Sequence, residues 1–83
     1  MEPKTRALFQ AVGEGNLHQA KLLIKKGASA HILDYDQRSC LHVAAASGHL
    51  QMAQFFVHKQ HCEVYCFDRF GRTPLQDAVD NGQ

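Results

Sequence analysis

The 83 residues suffice for one small domain, which would bury about 60–65% of its unfolded surface and hold a thin stability margin. With 45% hydrophobic and 20% charged residues, the composition is that of a soluble globular chain, and a formal net charge of +1 offers no footprint for nucleic acid or an anionic membrane. No apolar run approaches the roughly 20 residues of a membrane span. Three cysteines leave one odd under any internal pairing, which fits a reducing, intracellular and cytoplasmic setting better than a disulfide scaffold.

In chain order, the first predicted element is a short helix carrying Leu8, Ala11 and Val12 on one face and ending at Gly15. A second helix follows with Leu17, Ala20, Leu23 and Ile24, and then Gly27 and a turn-rich stretch to Asp34. Ser39-Cys40-Leu41-His42 opens a third helix on an N-cap hydroxyl; Leu41, Ala44 and Ala45 form its apolar face and Gly48 its end. Leu50, Ala53, Phe56 and Val57 mark a fourth. Cys62 through Phe67 connect it to Asp68, a connector that reads as one residue longer than its predecessor, with no glycine before it. Thr73-Pro74-Leu75-Gln76 then combines a capping box with proline at the first helical position, leading Ala78 and Val79 into a fifth helix.

These elements repeat. "LFQAVGEGNL" at 8–17, "LHVAAASGHL" at 41–50 and "LQDAVDNG" at 75–82 share Leu, Ala at three, a small apolar residue at four and Gly at seven. The copies are spaced by 33 and then 34 residues, and a repeat at so nearly constant an offset points to a stacked array. The predicted core is Leu8, Ala11, Val12, Leu17, Ala20, Leu23, Ile24, Leu41, Ala44, Ala45, Leu50, Ala53, Phe56, Val57, Leu75 and Ala78.

The middle copy, with Asp34, Ser39, Leu41, His42, Ala44, Ala45, Gly48, His49 and Leu50, resembles an ankyrin repeat, as does the third copy with Asp68, Gly71, Thr73, Pro74, Leu75, Ala78 and Gly82. The resemblance implies an all-α, ankyrin-type helical solenoid with short β-hairpin-like fingers. It divides residues 1–83, a single domain, into a first repeat at about 5–33 acting as N-terminal cap, a second at about 34–67 and a partial third at about 68–83. "DYDQRSCLHVAAASGHL" followed by "DRFGRTPLQDA" is further similar to the ankyrin segment of animal glutaminases, and some plant kinases carry a related variant. The third copy stops where an outer helix is expected, which suggests a piece of a longer array, a polar cap, or self-association through an open C-terminal end.

Three groups of residues invite a chemical reading. His58, His61, Cys62 and Cys66 crowd into nine positions and are zinc-ligand types, but a single cluster without a second knuckle is weak, so no metal or other cofactor is expected and packing or solvent exposure is preferred. Cys40 and His42 stand two apart, a spacing that points side chains in different directions on a helix and gives no catalytic pair; His42 reads instead as a partner of the Ser39 cap and the adjoining finger. Asp77 and Asp80 read as a solvated face. The resemblance therefore implies a non-enzymatic protein-interaction module that binds a protein or peptide through its fingers and concave inner-helix face. The alternative is an accessory oligomerisation or regulatory segment of a larger enzyme. The candidate partner-binding residues are Tyr35, Asp36, Arg38, Ala46 and Ser47 in the second copy and Arg69, Phe70, Arg72, Asp80 and Asn81 in the third. With three arginines among them, an acidic partner is expected.

Overall fold

The computed structural model describes residues 2–80, except for the side chain of Asp80. Among these residues the chain forms α1 (Pro3–Glu14), α2 (Leu17–Lys25), α3 (Cys40–Ala46), α4 (Leu50–His58) and α5 (Pro74–Asp80), and no strand. Helices α1 and α2 pack as one pair and α3 and α4 as the next. The inner helices α1, α3 and α5 lie side by side in that order. None of the five is long and apolar enough to cross a membrane.

Local chemistry sets the helix ends. Pro3 starts α1, where a missing N–H costs nothing. The Asn16 side chain caps α2 by accepting the Gln19 N–H at 3.1 Å. At the ends of α1 and α3 the bonds are the same: Gly15 N–H to Val12 O with Asn16 N–H to Ala11 O, and Gly48 N–H to Ala45 O with His49 N–H to Ala44 O. Gly82, the third member of that set, lies outside the described residues.

One core runs through the stack. Leu8, Val12, Ala20, Cys40, Ala44, Met52 and Phe56 are almost completely buried, and Ala28, Ala30 and Cys62 close it from the connectors. Four residues expected in it are not there: Ala45 and Ala78 are half-buried beside it, and Leu50 and Leu75 are 69% and 72% exposed. Leu75 sits where Leu41 does in the previous copy, but Leu41 lies under α4 and no described helix lies over α5. Met52 was missed because its counterpart in the first copy is the exposed Gln19, which has no preceding repeat to pack against.

The connector also departs from expectation. Ala28 N–H bonds Leu23 O and Cys62 N–H bonds Phe56 O, both at 2.9 Å. Leu23 and Phe56 are equivalent helix positions 33 apart, whereas Ala28 and Cys62 are 34 apart. The additional residue therefore lies at the end of α4, before Cys62, and the stretches 28–33 and 62–67 match in length. They also turn alike: Ser29 Oγ accepts the His31 N–H at 3.1 Å and Glu63 Oε1 accepts the Tyr65 N–H at 3.0 Å. His61 occupies the left-handed position of Gly27, with φ of 55° against 110°. A side chain at such a φ costs more than a glycine, although histidine is among the residues that adopt it more readily.

Candidate functional site

The fingers are built on two aspartates. Asp34 Oδ1 accepts the N–H groups of Asp36 and Arg38, both at 2.9 Å, and Asp34 N–H bonds Arg38 O at 3.0 Å. Thirty-four positions on, Asp68 Oδ1 accepts the N–H groups of Phe70 and Arg72 at 2.9 Å, and Asp68 N–H bonds Arg72 O at 2.9 Å. Each finger is thus a hairpin-like turn closed by a carboxylate in place of a strand ladder. The two are tied tip to tip, because Arg69 N–H donates to Asp36 O at 2.6 Å.

His42 connects α3 to the third finger. Its Nδ1 accepts the Ser39 N–H at 3.1 Å while Ser39 Oγ accepts the His42 N–H at 3.1 Å, a reciprocal cap. That leaves Nε2 as the protonated nitrogen, donating to Arg72 O at 2.8 Å. The role expected for His42 is the one observed. Thr73 and Gln76 repeat the cap on α5, at 3.2 and 3.4 Å.

Behind the fingers lies a buried charge network. Arg38 spans two carboxylates, with Nη1 2.8 Å from Asp68 Oδ2 and Nη2 2.8 Å from Asp77 Oδ2. Arg72 Nε meets Asp77 Oδ1 at 3.0 Å. Asp77, expected on a solvated face, is therefore buried, because two guanidinium groups compensate its charge there. Burial alone pushes the Asp68 carboxyl up, but the Arg72 and Phe70 N–H groups and the Arg38 guanidinium outweigh it and hold it below the ordinary 3.8. Ligand atoms of His42, Asp68 and Asp77 lie within 4.8 Å of one another, a metal-like spacing. The Arg38 fork bridging both carboxylates, with the imidazole N–H turned to Arg72 O, makes it an ion-pair cluster.

The candidate binding residues divide accordingly. Arg38 and Arg72 belong to this network, and Arg69 pairs with Asp36 at 3.4 Å while its guanidinium lies 5.8 Å from the Phe70 ring centre. The basic patch anticipated from three arginines is thus answered by Asp36, Asp68 and Asp77. Tyr35 and Phe70 stand out at the tips, 80% and 68% exposed. Ala46 is half-buried and Ser47 exposed at the end of α3. The Asp80 side chain and Asn81 lie outside the described residues. Sequence reasoning passed over Tyr65 and Phe67, at 77% and 62% exposure; an aromatic at an otherwise turn-forming position was the available signal.

The four zinc-type residues go separate ways. Cys62 Sγ lies 3.5 Å from Ala30 O in the core, and Cys66 Sγ donates to Glu63 O at 3.2 Å. His58 and His61 are exposed, and the four do not form a ligand group among the described residues. Cys40 is equally remote from chemistry: burial, with the nearby Cys62 and Asp34, pushes its thiol up to about 12.

Helical pairs stacked in one direction and linked by turn-like fingers, with His42 at the third helical position closing the cap of α3, define a repeat solenoid. The sequence family described as ankyrin repeats, in three copies, matches residues 7–83, and the chain belongs to that family. A mouse mitochondrial glutaminase, the liver isoform, is 46% identical over 46 residues, 55% of this chain and 8% of its own length. Putative glutaminase 2 of Caenorhabditis elegans is 35% identical over 71 residues, 86% of this chain and 12% of its own. The 26S proteasome non-ATPase regulatory subunit 10 of Dictyostelium discoideum is 37% identical over 76 residues, 90% of this chain and 33% of its own. The chain spans a third or less of each of these relatives. Ankyrin repeats generally mediate protein–protein interaction and are non-catalytic.

Proposed function

We propose that this chain is a non-enzymatic interaction module that holds a partner protein or peptide against its finger tips and the concave face of its inner helices. The observation that carries the reading is the pair Tyr35 and Phe70, exposed at the tips of fingers that are joined by backbone and ion-pair bonds. Aromatic side chains on a rigid frame lose little freedom on binding and commonly supply most of an interface's energy. Because Arg38 and Arg72 are engaged internally, a partner bound through apolar and aromatic contact fits better than an acidic one. The test is a pull-down from cell extract with the unaltered chain and with Tyr35→Ala/Phe70→Ala, judged by mass spectrometry. Partners retained equally by both would move the interface off the fingers.

A second reading, an accessory regulatory or oligomerisation segment of a larger glutaminase-like enzyme, is favoured by the two glutaminase matches. An antibody to this chain that detects only a polypeptide without glutaminase activity in native extract would refute it.

A further inference from the structure

The formal net charge of +1 hides an uneven distribution. On the finger side, Asp36, Asp68 and Asp77 are paired with Arg38, Arg69 and Arg72. The outer helices have no such balance. Residues 16–27, which hold α2, and 49–61, which hold α4, carry Lys21, Lys25, Lys26 and Lys59 and not one Asp or Glu. No ion pair among the described residues reaches these four lysines, and all four are exposed. A field of one sign therefore lies along the outer face.

The same face is grooved. Helices α1 and α3 pack directly, whereas α2 and α4 are not a packed pair. Between them runs a groove of about 340 Å³, with Leu17 and Phe55 half-buried in it and Lys21, His58 and Lys59 exposed along it. Its other polar groups are the amides of Gln51 and Gln54, so nothing lining it carries negative charge. On α4 the positions 51, 54, 55 and 58 share one helical face, and on α2 Leu17 and Lys21 do, with Lys25 one turn further on. Lys21 Nζ lies 5.5 Å from the Phe55 ring centre, so a cation and an aromatic surface stand side by side where the two helices meet.

We infer that this groove is a docking site for an acidic segment of another protein, one that sets carboxylates on the lysines and an apolar side chain on Leu17 and Phe55. Charge complementarity identifies the occupant. The finger arginines are engaged internally, and the unpaired cations are here. A bilayer fits less well, because the apolar residues of this groove are recessed beneath the cations instead of protruding. A second copy of the chain is also a poorer occupant: its acidic residues never stand adjacent in sequence, and three of them are held by arginine. Stacking runs along α1, α3 and α5, so neighbouring repeats leave this face uncovered. The site lies apart from the finger tips, and the two interfaces stand or fall independently.

The probe is a fluorescein-labelled synthetic peptide, EELFEELLEE, titrated with the full chain and followed by anisotropy. Saturable binding is expected with Kd below about 1 mM at low salt, weakened about tenfold or more at about 0.5 M sodium chloride. A peptide of equal charge without apolar residues, EESSEESSEE, should bind about tenfold more weakly. Lys21→Glu/Lys59→Glu in the protein should abolish saturable binding with circular dichroism unchanged, since both side chains are exposed, and Tyr35→Ala/Phe70→Ala should leave it intact. Equal affinity for the serine peptide overturns the proposal, because the face would then attract any polyanion and the groove would play no part. Undiminished binding to the Lys21→Glu/Lys59→Glu chain overturns it, as does failure to saturate. Uptake of the chain by phosphatidylserine vesicles with the same dependence on Lys21 and Lys59, and no saturable peptide binding, would give the face to a membrane and overturn it too.

Discussion

Removing the Arg38 cation while keeping its bulk, as Arg38→Met, tests whether the buried network holds the third repeat to the second. The guanidinium faces Asp77 Oδ2 at 2.8 Å, and the Asp77 side chain is 4% exposed against 22% for Arg38. Leaving a buried ion without any partner costs about 3–5 kcal/mol. Here the loss should be smaller, about 2 kcal/mol, because Arg72 Nε stays on Asp77 Oδ1 at 3.0 Å and Arg38 is partly wet. With an unfolding entropy of about 2.1 cal/mol/K per residue, that lowers Tm by roughly 11 °C. Urea melts of Arg38→Met, Asp77→Asn and the double variant complete a cycle, with a coupling of about 1 kcal/mol or more expected. Additive single effects would mean that the ion pair merely accompanies the packing of α5. The pH profile adds a sign: the Asp68 carboxyl is held below 3.8, so its contribution is complete above 3.8 and lost as pH falls through the folded value. Without Arg38 the folded value rises, and acid unfolding should begin at higher pH.

Three further outcomes follow from the same geometry. Leu41→Ala should cost about 2–5 kcal/mol and unfold most of the chain, whereas Leu75→Ala, at the same motif position but 72% exposed, should change stability by less than about 0.5 kcal/mol. Similar losses in urea melts would contradict the exposure difference. Gln37 holds φ of 61° where the next finger has Gly71 at 76°, so Gln37→Gly should stabilise by about 1 kcal/mol; a destabilised variant would argue that Gln37 makes a compensating contact. Burial pushes Cys40 up to about 12 and Cys62 to about 11 from 9.0, so both stay protonated in the fold while the unfolded chain ionises. Stability is therefore whole below pH 9 and declines above it, and Ellman's reagent should find Cys66 fast and the other two only on unfolding; three equal rates would refute the burial.

Much of the fold was legible because its determinants are local. The spacing of Leu8, Ala11 and Val12 against Leu41, Ala44 and Ala45, the cap at Ser39 with His42 and the cap at Thr73 with Gln76 each dictate their own structure within a few residues, and each formed. What escaped depends on neighbours a repeat away. Repetition implies that Leu75 behaves as Leu41, yet burial is a property of the covering helix, and the motif is silent on whether one is there. The connector alignment slipped for a related reason: 33 and 34 are both acceptable spacings, and only the hydrogen bonds of Ala28 and Cys62 locate the additional residue.

The candidate site was legible in position and misread in character. Asp34 with Arg38 and Asp68 with Arg72 repeat the same spacing, and each reads alone as a polar finger offered to a partner. Stacking places Arg38 of one finger against Asp68 of the next and Asp77 of α5, so charges counted as available are consumed in holding the repeats in register. A solenoid joins units that share few contacts, and a guanidinium with a fixed planar fork can fix both distance and rotation between two of them. Exposure of apolar side chains at the finger tips is instead greatest at Tyr35 and Phe70, and the proposed interface is placed there for that reason.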